Sequence, residues 1–144
     1  MAKIIVSNCL IGAECRYKGD ACRSEEVCAL AKKHTLIGVC PEQMGGLPTP
    51  RTPAERVGDR VLTRDGRDVT AEYERGAEAA LRLAELNRAR YAVLKANSPS
   101  CGCGRIYDGT FTGCKKEGDG VAAELFKKSG IKVFTEENSE EWPF

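Results

Sequence analysis

The chain has no Cys-x-x-Cys pair, a single histidine and no surplus of either charge. Paired cysteine knuckles are the main sequence sign of a zinc ribbon or finger, so their absence counts against both. The one histidine, His34, falls between a helical stretch and a strand and reads as a boundary residue rather than a ligand. Lysine and arginine total 22 against 21 aspartates and glutamates, which gives no global pull toward nucleic acid or an anionic membrane. Long apolar runs are also missing. Ile4-Ile5-Val6, directly behind Met1-Ala2-Lys3, is too short for a signal-peptide core or a membrane span, so a cytoplasmic protein without a membrane partner is expected. With no repeat and no low-complexity tract in 144 residues, one domain over 1–144 is expected, with 138–144 as a tail.

What is present is an alternation of short apolar runs with amphipathic stretches, the pattern of an α/β domain with a mostly parallel sheet, three-layered and Rossmann-like. The expected strands are Lys3–Val6, Leu36–Val39, Ala92–Leu94 and Lys132–Phe134, with Val61–Thr63 as a lesser one. Ser24 reads as the N-cap of a helix whose first turn carries Glu25 and Glu26 and whose inner face is Val27, Leu30 and Ala31. Thr70 is expected to cap the longest helix, with Tyr73, Gly76, Ala77, Ala80, Leu81 and Ala84 on one face. A third helix is expected to begin near Gly120 and stop at Gly130. Two stretches, Pro41–Pro53 and Asn97–Gly120, break the pattern with glycine and proline and read as loops.

Cysteine is abundant, at eight residues. In a reducing compartment such thiols point to metal ligation or catalysis rather than disulfides. Cys9 follows the first strand, Cys40 ends the second and Cys101 lies seven residues beyond Leu94, so all three belong at the carboxyl edge of a parallel sheet, where ligands bind. Three thiolates suit zinc with a fourth ligand, or a cubane cluster with one iron left open. Spacing also permits three small buried hydrophobes at strand ends. Cys28 lies next to a helix's apolar face and is expected to be buried, while Cys15, Cys22, Cys103 and Cys114 have no evident place, the last two being conceivable as a spare ligand or resolving thiol.

Val6-Ser7-Asn8-Cys9-Leu10-Ile11-Gly12, Val39-Cys40-Pro41-Glu42, Gly45-Gly46-Leu47-Pro48-Thr49-Pro50-Arg51 and Ser98-Pro99-Ser100-Cys101-Gly102, in this order, closely resemble the family long catalogued as DUF523, whose characterised members are thiouracil desulfidases. Asp65-Gly66-Arg67-Asp68-Val69-Thr70 and Arg105-Ile106-Tyr107-Asp108-Gly109-Thr110-Phe111 fit as well, so the resemblance covers nearly the whole chain. It implies a [4Fe-4S] cluster held by Cys9, Cys40 and Cys101 at the carboxyl ends of the strands, with the remaining iron free to take the sulfur of a thiolated base, and it implies that Glu42 and Ser98 are the catalytic polar residues. This chain carries five further cysteines.

On that reading the reaction is non-redox hydrolysis of C=S to C=O in a thiolated pyrimidine such as 4-thiouracil. Glu42, two residues beyond Cys40, is placed to act as general base or proton shuttle. Ser98 precedes a proline, which holds its backbone extended, and Ser100 competes with it for the role of catalytic hydroxyl. Arg51 is a candidate to hold an anionic or carbonyl group of the substrate. Arg105, Lys115 and Lys116 make the second loop locally basic, which leaves a thiolated nucleotide or tRNA base as an alternative partner to the free nucleobase. Two other functions stay open from the residues alone: a non-catalytic zinc or iron–sulfur binding or sensing module, and a thiol redox protein.

Overall fold

The computed structural model describes residues 1–144. In chain order its elements are β1 (Lys3–Ser7), α1 (Glu25–Ala29), β2 (Thr35–Val39), α2 (Pro41–Met44), β3 (Ala54–Val57), β4 (Arg60–Thr63), α3 (Thr70–Leu86), β5 (Tyr91–Leu94), β6 (Arg105–Tyr107), β7 (Lys115–Glu117), α4 (Val121–Lys128) and β8 (Lys132–Thr135). Four strands form a parallel sheet in the order β2-β1-β5-β8, and two antiparallel hairpins, β3–β4 and β6–β7, stand beside it. This is the expected α/β architecture.

Side chains alternate across the sheet, and the alternation builds a core on each face. Ile5, Ala92 and Leu94 pack with Ala80 and Ala84 of α3 and Ala123 and Phe126 of α4. Ile4, Val6 and Val93 face the other way, toward Leu10 and Val27. Because β2 lies on one side of β1 and β5 on the other, the strand order reverses direction at β1. In open α/β sheets the crevice at such a reversal, outside the carboxyl ends of the strands, is where ligands bind.

All five anticipated strands form, each extended by one residue. Ser24 caps α1 by accepting from the Val27 amide at 3.3 Å. Thr70 differs from expectation. Its hydroxyl accepts from the Val61 amide at 2.8 Å and so is tied to β4; the N-cap position is Val69, and Asp68 Oδ1 accepts from the Thr70 amide at 2.9 Å. Both stretches read as loops contain structure: α2 begins with Pro41 at its first turn, where a missing N–H costs nothing, and the second stretch folds into the β6–β7 hairpin.

Residues 138–144, read as a tail, are packed. The Trp142 indole N–H donates to the Thr135 carbonyl at 3.1 Å, and the Phe144 ring meets those of His34, Tyr91 and Phe134 edge-on at 5.6, 5.4 and 6.3 Å. Sparse apolar residues without periodicity gave no sign of this. Both rings pack against the core that Ile4, Val6 and Val93 form with Val27 of α1.

Candidate functional site

The carboxyl ends of β1, β2 and β5 open into a cavity of about 330 Å3. A short 3-10 turn over Asn8–Ile11 directly after β1 turns Cys9 inward, and β2 runs straight into Cys40, the residue before α2. Cys101 arrives on the loop after β5. That loop is pinned by α4: the Pro99 carbonyl accepts from Val121, and the Ser100 carbonyl from Ala122 and Ala123, at 2.9, 2.8 and 3.2 Å. Unpaired amides at a helix start need such partners, and here the loop supplies them. Gly120 allows the close approach, since a Cβ there would lie 2.4 Å from the Ser100 carbonyl carbon.

Cys9, Cys40 and Cys101, expected together, all line the cavity, as do Glu42 and Ser98. A fourth thiol, Cys15, lines it too and is 4% exposed. After Cys9 the chain turns back, with the Cys22 amide donating to the Cys9 carbonyl at 3.0 Å, and this reversal carries Cys15 against Cys9 and Cys40. Sequence reading left Cys15 unplaced because its stretch has neither helical nor strand periodicity. Cys22, Cys28, Cys103 and Cys114 stay outside the lining. Cys28 donates to the Leu10 carbonyl at 3.8 Å and Cys103 to the Val133 carbonyl at 3.5 Å, while Cys114 is exposed.

The polar wall is a connected chain. Ser100 Oγ donates to Glu42 Oε2 at 3.0 Å, and Ser98 Oγ lies 3.0 Å from Ser100 Oγ. Since the Ser100 proton is engaged by the carboxylate, Ser98 donates to Ser100. Ser98 Oγ in turn accepts the amides of Ser100 and Cys101, each at 3.1 Å. The two serines, competitors in the sequence, are consecutive members of one network. Only the fold could reveal that, because the link runs through Glu42 on a distant segment.

Arg51 is committed elsewhere than expected. Its guanidinium donates to Glu42 Oε1 at 2.9 Å, to the Pro48 carbonyl at 3.1 Å, to Thr49 Oγ1 at 2.9 Å and to the Cys15 carbonyl at 2.9 Å. It therefore orients the carboxylate and holds the Cys15 turn, instead of presenting a free fork to a ligand. Lys95, not singled out by the sequence, also lines the cavity and pairs with Glu136 at 2.9 Å. Arg105, Lys115 and Lys116 lie outside the lining.

Several groups here have a raised pKa and are weaker acids than usual. Cys101 is pushed up to about 12, chiefly by burial, against the lowering contacts of Ser100 and Ser7. Cys40 is raised by its contact with Cys15 and then by burial, and Tyr73, at the back of the cavity, by burial and then by the Glu42 charge. Thiols so placed become thiolates when a metal centre compensates the charge, with release of protons. The donor set fits an iron–sulfur cluster: soft thiols from three separate chain segments around one cavity.

Comparison with known proteins agrees with this architecture. Residues 4–138 match the 2-thiouracil desulfurase family model. The chain belongs to that family. It is 43% identical over 143 residues to YbbK, an uncharacterized protein of Bacillus subtilis (strain 168), covering 92% of this chain and 95% of that one. Its structure superposes on that of the [4Fe-4S]-dependent thiouracil desulfidase TudS with a TM-score of 0.92 at 48% identity, covering 98% of this chain and 95% of the other. No helix is long and apolar enough to cross a membrane.

Proposed function

We propose that this family member is an iron–sulfur-dependent desulfidase that hydrolyses the C=S group of a thiolated pyrimidine such as 4-thiouracil to C=O, with Cys9, Cys40 and Cys101 as ligands of a [4Fe-4S] cluster and Glu42, Ser98 and Ser100 handling protons. The observation that carries this reading is the meeting of three thiols from different strand ends with a serine–serine–glutamate chain in one cavity. When bound, the cluster supplies a soft Lewis-acidic iron for the departing sulfur.

The remaining chemistry belongs to the chain itself. Glu42, held at Oε1 by Arg51 and at Oε2 by Ser100, is oriented to accept a proton from an attacking water at Oε2. Once Oε2 is protonated, the Ser100 and Ser98 hydroxyls turn about their Cβ–Oγ bonds, reversing both hydrogen bonds, and hand the proton toward the leaving sulfur. Thiocarbonyl and water become carbonyl and hydrogen sulfide, with no net electron transfer. Tyr17, Tyr107 and Phe111 in the lining offer flat faces to a pyrimidine ring. A free base is the favoured substrate, because the basic residues of the β6–β7 hairpin stand outside the cavity. All eight cysteines are free, the state a reducing cytoplasm maintains.

The test is anaerobic reconstitution followed by incubation with 4-thiouracil in isotopically labelled water. Labelled uracil and sulfide are expected without any electron donor, with Cys9→Ala, Cys40→Ala and Cys101→Ala each failing to retain iron. A colourless protein with stoichiometric zinc, or turnover that demands a reductant, would overturn the reading. Turnover of a thiolated nucleotide well ahead of the free base would reassign the substrate.

A further inference from the structure

Three protein ligands for a four-iron cluster leave one iron without a protein donor, while the cavity holds a fourth thiol. Cys15 is 4% exposed, lines the same cavity and faces both Cys9 and Cys40. Its position is held by the backbone. The Cys15 amide donates to the Ala13 carbonyl at 2.9 Å, and the Cys15 carbonyl accepts from Arg51 Nη2 at 2.9 Å and from the Cys40 thiol at 3.9 Å. Arg51 is itself buried, with a side chain 7% exposed and ion-paired to Glu42. The turn carrying Cys15 is thus tied to the residue that orients the proposed base. A cysteine serving only to fill space would need neither the buried guanidinium on its carbonyl nor a place among the other three cavity thiols, since the remaining four cysteines of the chain lie outside the cavity.

We infer that Cys15 is a displaceable fourth thiolate, which occupies the open iron of the cluster between turnovers and gives way to the substrate's sulfur. The inference rests on the proposed cluster reading. Its chemistry is ligand exchange alone. On capping, the Cys15 thiol loses its proton to solvent and a sulfur–iron bond forms. When a substrate sulfur arrives that bond breaks and the thiol regains a proton, with no change in oxidation state. The attraction of thiolate for iron is general, and four-cysteine ligation is the ordinary resting arrangement of such clusters. A cap of this kind protects the exposed iron from oxidative loss while the cavity is empty.

The test compares wild type with Cys15→Ala and the closer-volume Cys15→Ser, all reconstituted anaerobically and without substrate, with Cys28→Ala as a control outside the cavity. All four proteins are expected to hold a full cluster by iron and sulfide analysis. On brief treatment with ferricyanide the two Cys15 variants should lose one iron and develop the paramagnetic three-iron signal, whereas wild type and Cys28→Ala keep their clusters. Added cyanide should perturb the Mössbauer spectrum of one iron in the Cys15 variants and leave wild type unchanged. Equal sensitivity of wild type and Cys15 variants to both reagents would overturn the cap and leave the desulfidase reading intact. Failure of either Cys15 variant to hold iron, with circular dichroism unchanged, would make Cys15 a permanent ligand and overturn its displaceable role. Absence of a cluster from wild type as well would bring down the functional reading itself.

Discussion

Ser100 Oγ donates to Glu42 Oε2 at 3.0 Å across 58 residues of sequence, and so joins the loop after β5 to the first turn of α2. Both segments also carry a cavity thiol, so the hydrogen bond couples proton chemistry to the geometry of the proposed ligands. Ser100→Ala is expected to keep the iron and lower kcat by about 100-fold, within the usual range for lost proton transfer. Ser98→Ala should lower kcat similarly and also loosen iron retention, because its oxygen accepts the Cys101 amide. In a single relay the double variant is no slower than the slower single one. Multiplicative losses in kcat, measured with iron content matched, would break the relay into two independent roles.

The Arg51–Glu42 pair should matter to stability as well as to orientation. The two side chains are 7% and 15% exposed, so removing one partner leaves a nearly buried charge alone. Arg51→Ala is expected to cost about 3–5 kcal/mol in urea unfolding of the metal-free protein, as for other broken buried pairs. Glu42→Gln in the Arg51→Ala background should recover part of that loss. A cost below about 1 kcal/mol would place the pair with ordinary surface bridges.

Gly76 sets the distance between α3 and α2. A Cβ at this position would lie 1.7 Å from the Pro41 carbonyl oxygen, a contact that backbone atoms cannot relieve without α2 moving. Glycine to alanine inside an exposed helix ordinarily gains about 1 kcal/mol. Here the sign reverses, with an expected loss of about 1–3 kcal/mol from overpacking. Cys40 and Glu42 flank Pro41, so Gly76→Ala should also reduce iron retention and turnover. A stabilised variant with full iron would show that α2 yields freely.

Much of this arrangement was legible in the residues. Strand runs such as Ile4-Ile5-Val6 and Ala92-Val93-Leu94 carry their own signal, and three cysteines beyond strand ends have to share the carboxyl edge of a parallel sheet. Helix faces were equally plain: Tyr73, Gly76, Ala77, Ala80 and Ala84 are the buried residues of α3. The illegible parts depend on chain reversals. Cys15 reaches the cavity because an irregular turn folds back on β1, and Arg51 meets Glu42 rather than a ligand because the Pro48–Pro50 segment wraps around it. Neither event has a periodicity. Ser98 and Ser100, read from the sequence as alternatives, lie within hydrogen-bond distance of each other.

The packed carboxyl-terminal segment supplies a prediction that separates stability from chemistry. Phe144 touches His34, just before β2, and Tyr91, the first residue of β5, both at the end of the sheet away from the cavity. Its ring is half-buried, so truncation removes apolar area and edge-on aromatic contacts without opening the site. Phe144→Ala is expected to lower stability by about 1–3 kcal/mol, combining partial burial with the pairwise aromatic contribution. Iron content and kcat should stay at wild-type values below the unfolding transition, because no cavity residue leans on this ring. Phe144→Leu should recover the area but not the aromatic edges, and fall between the two. Thermal unfolding of the three proteins, read beside iron retention, checks both halves. Equal melting of Phe144→Ala and wild type would return 138–144 to the status of a solvated tail, and loss of iron at full stability would reveal a coupling along β5 between the two ends of the sheet.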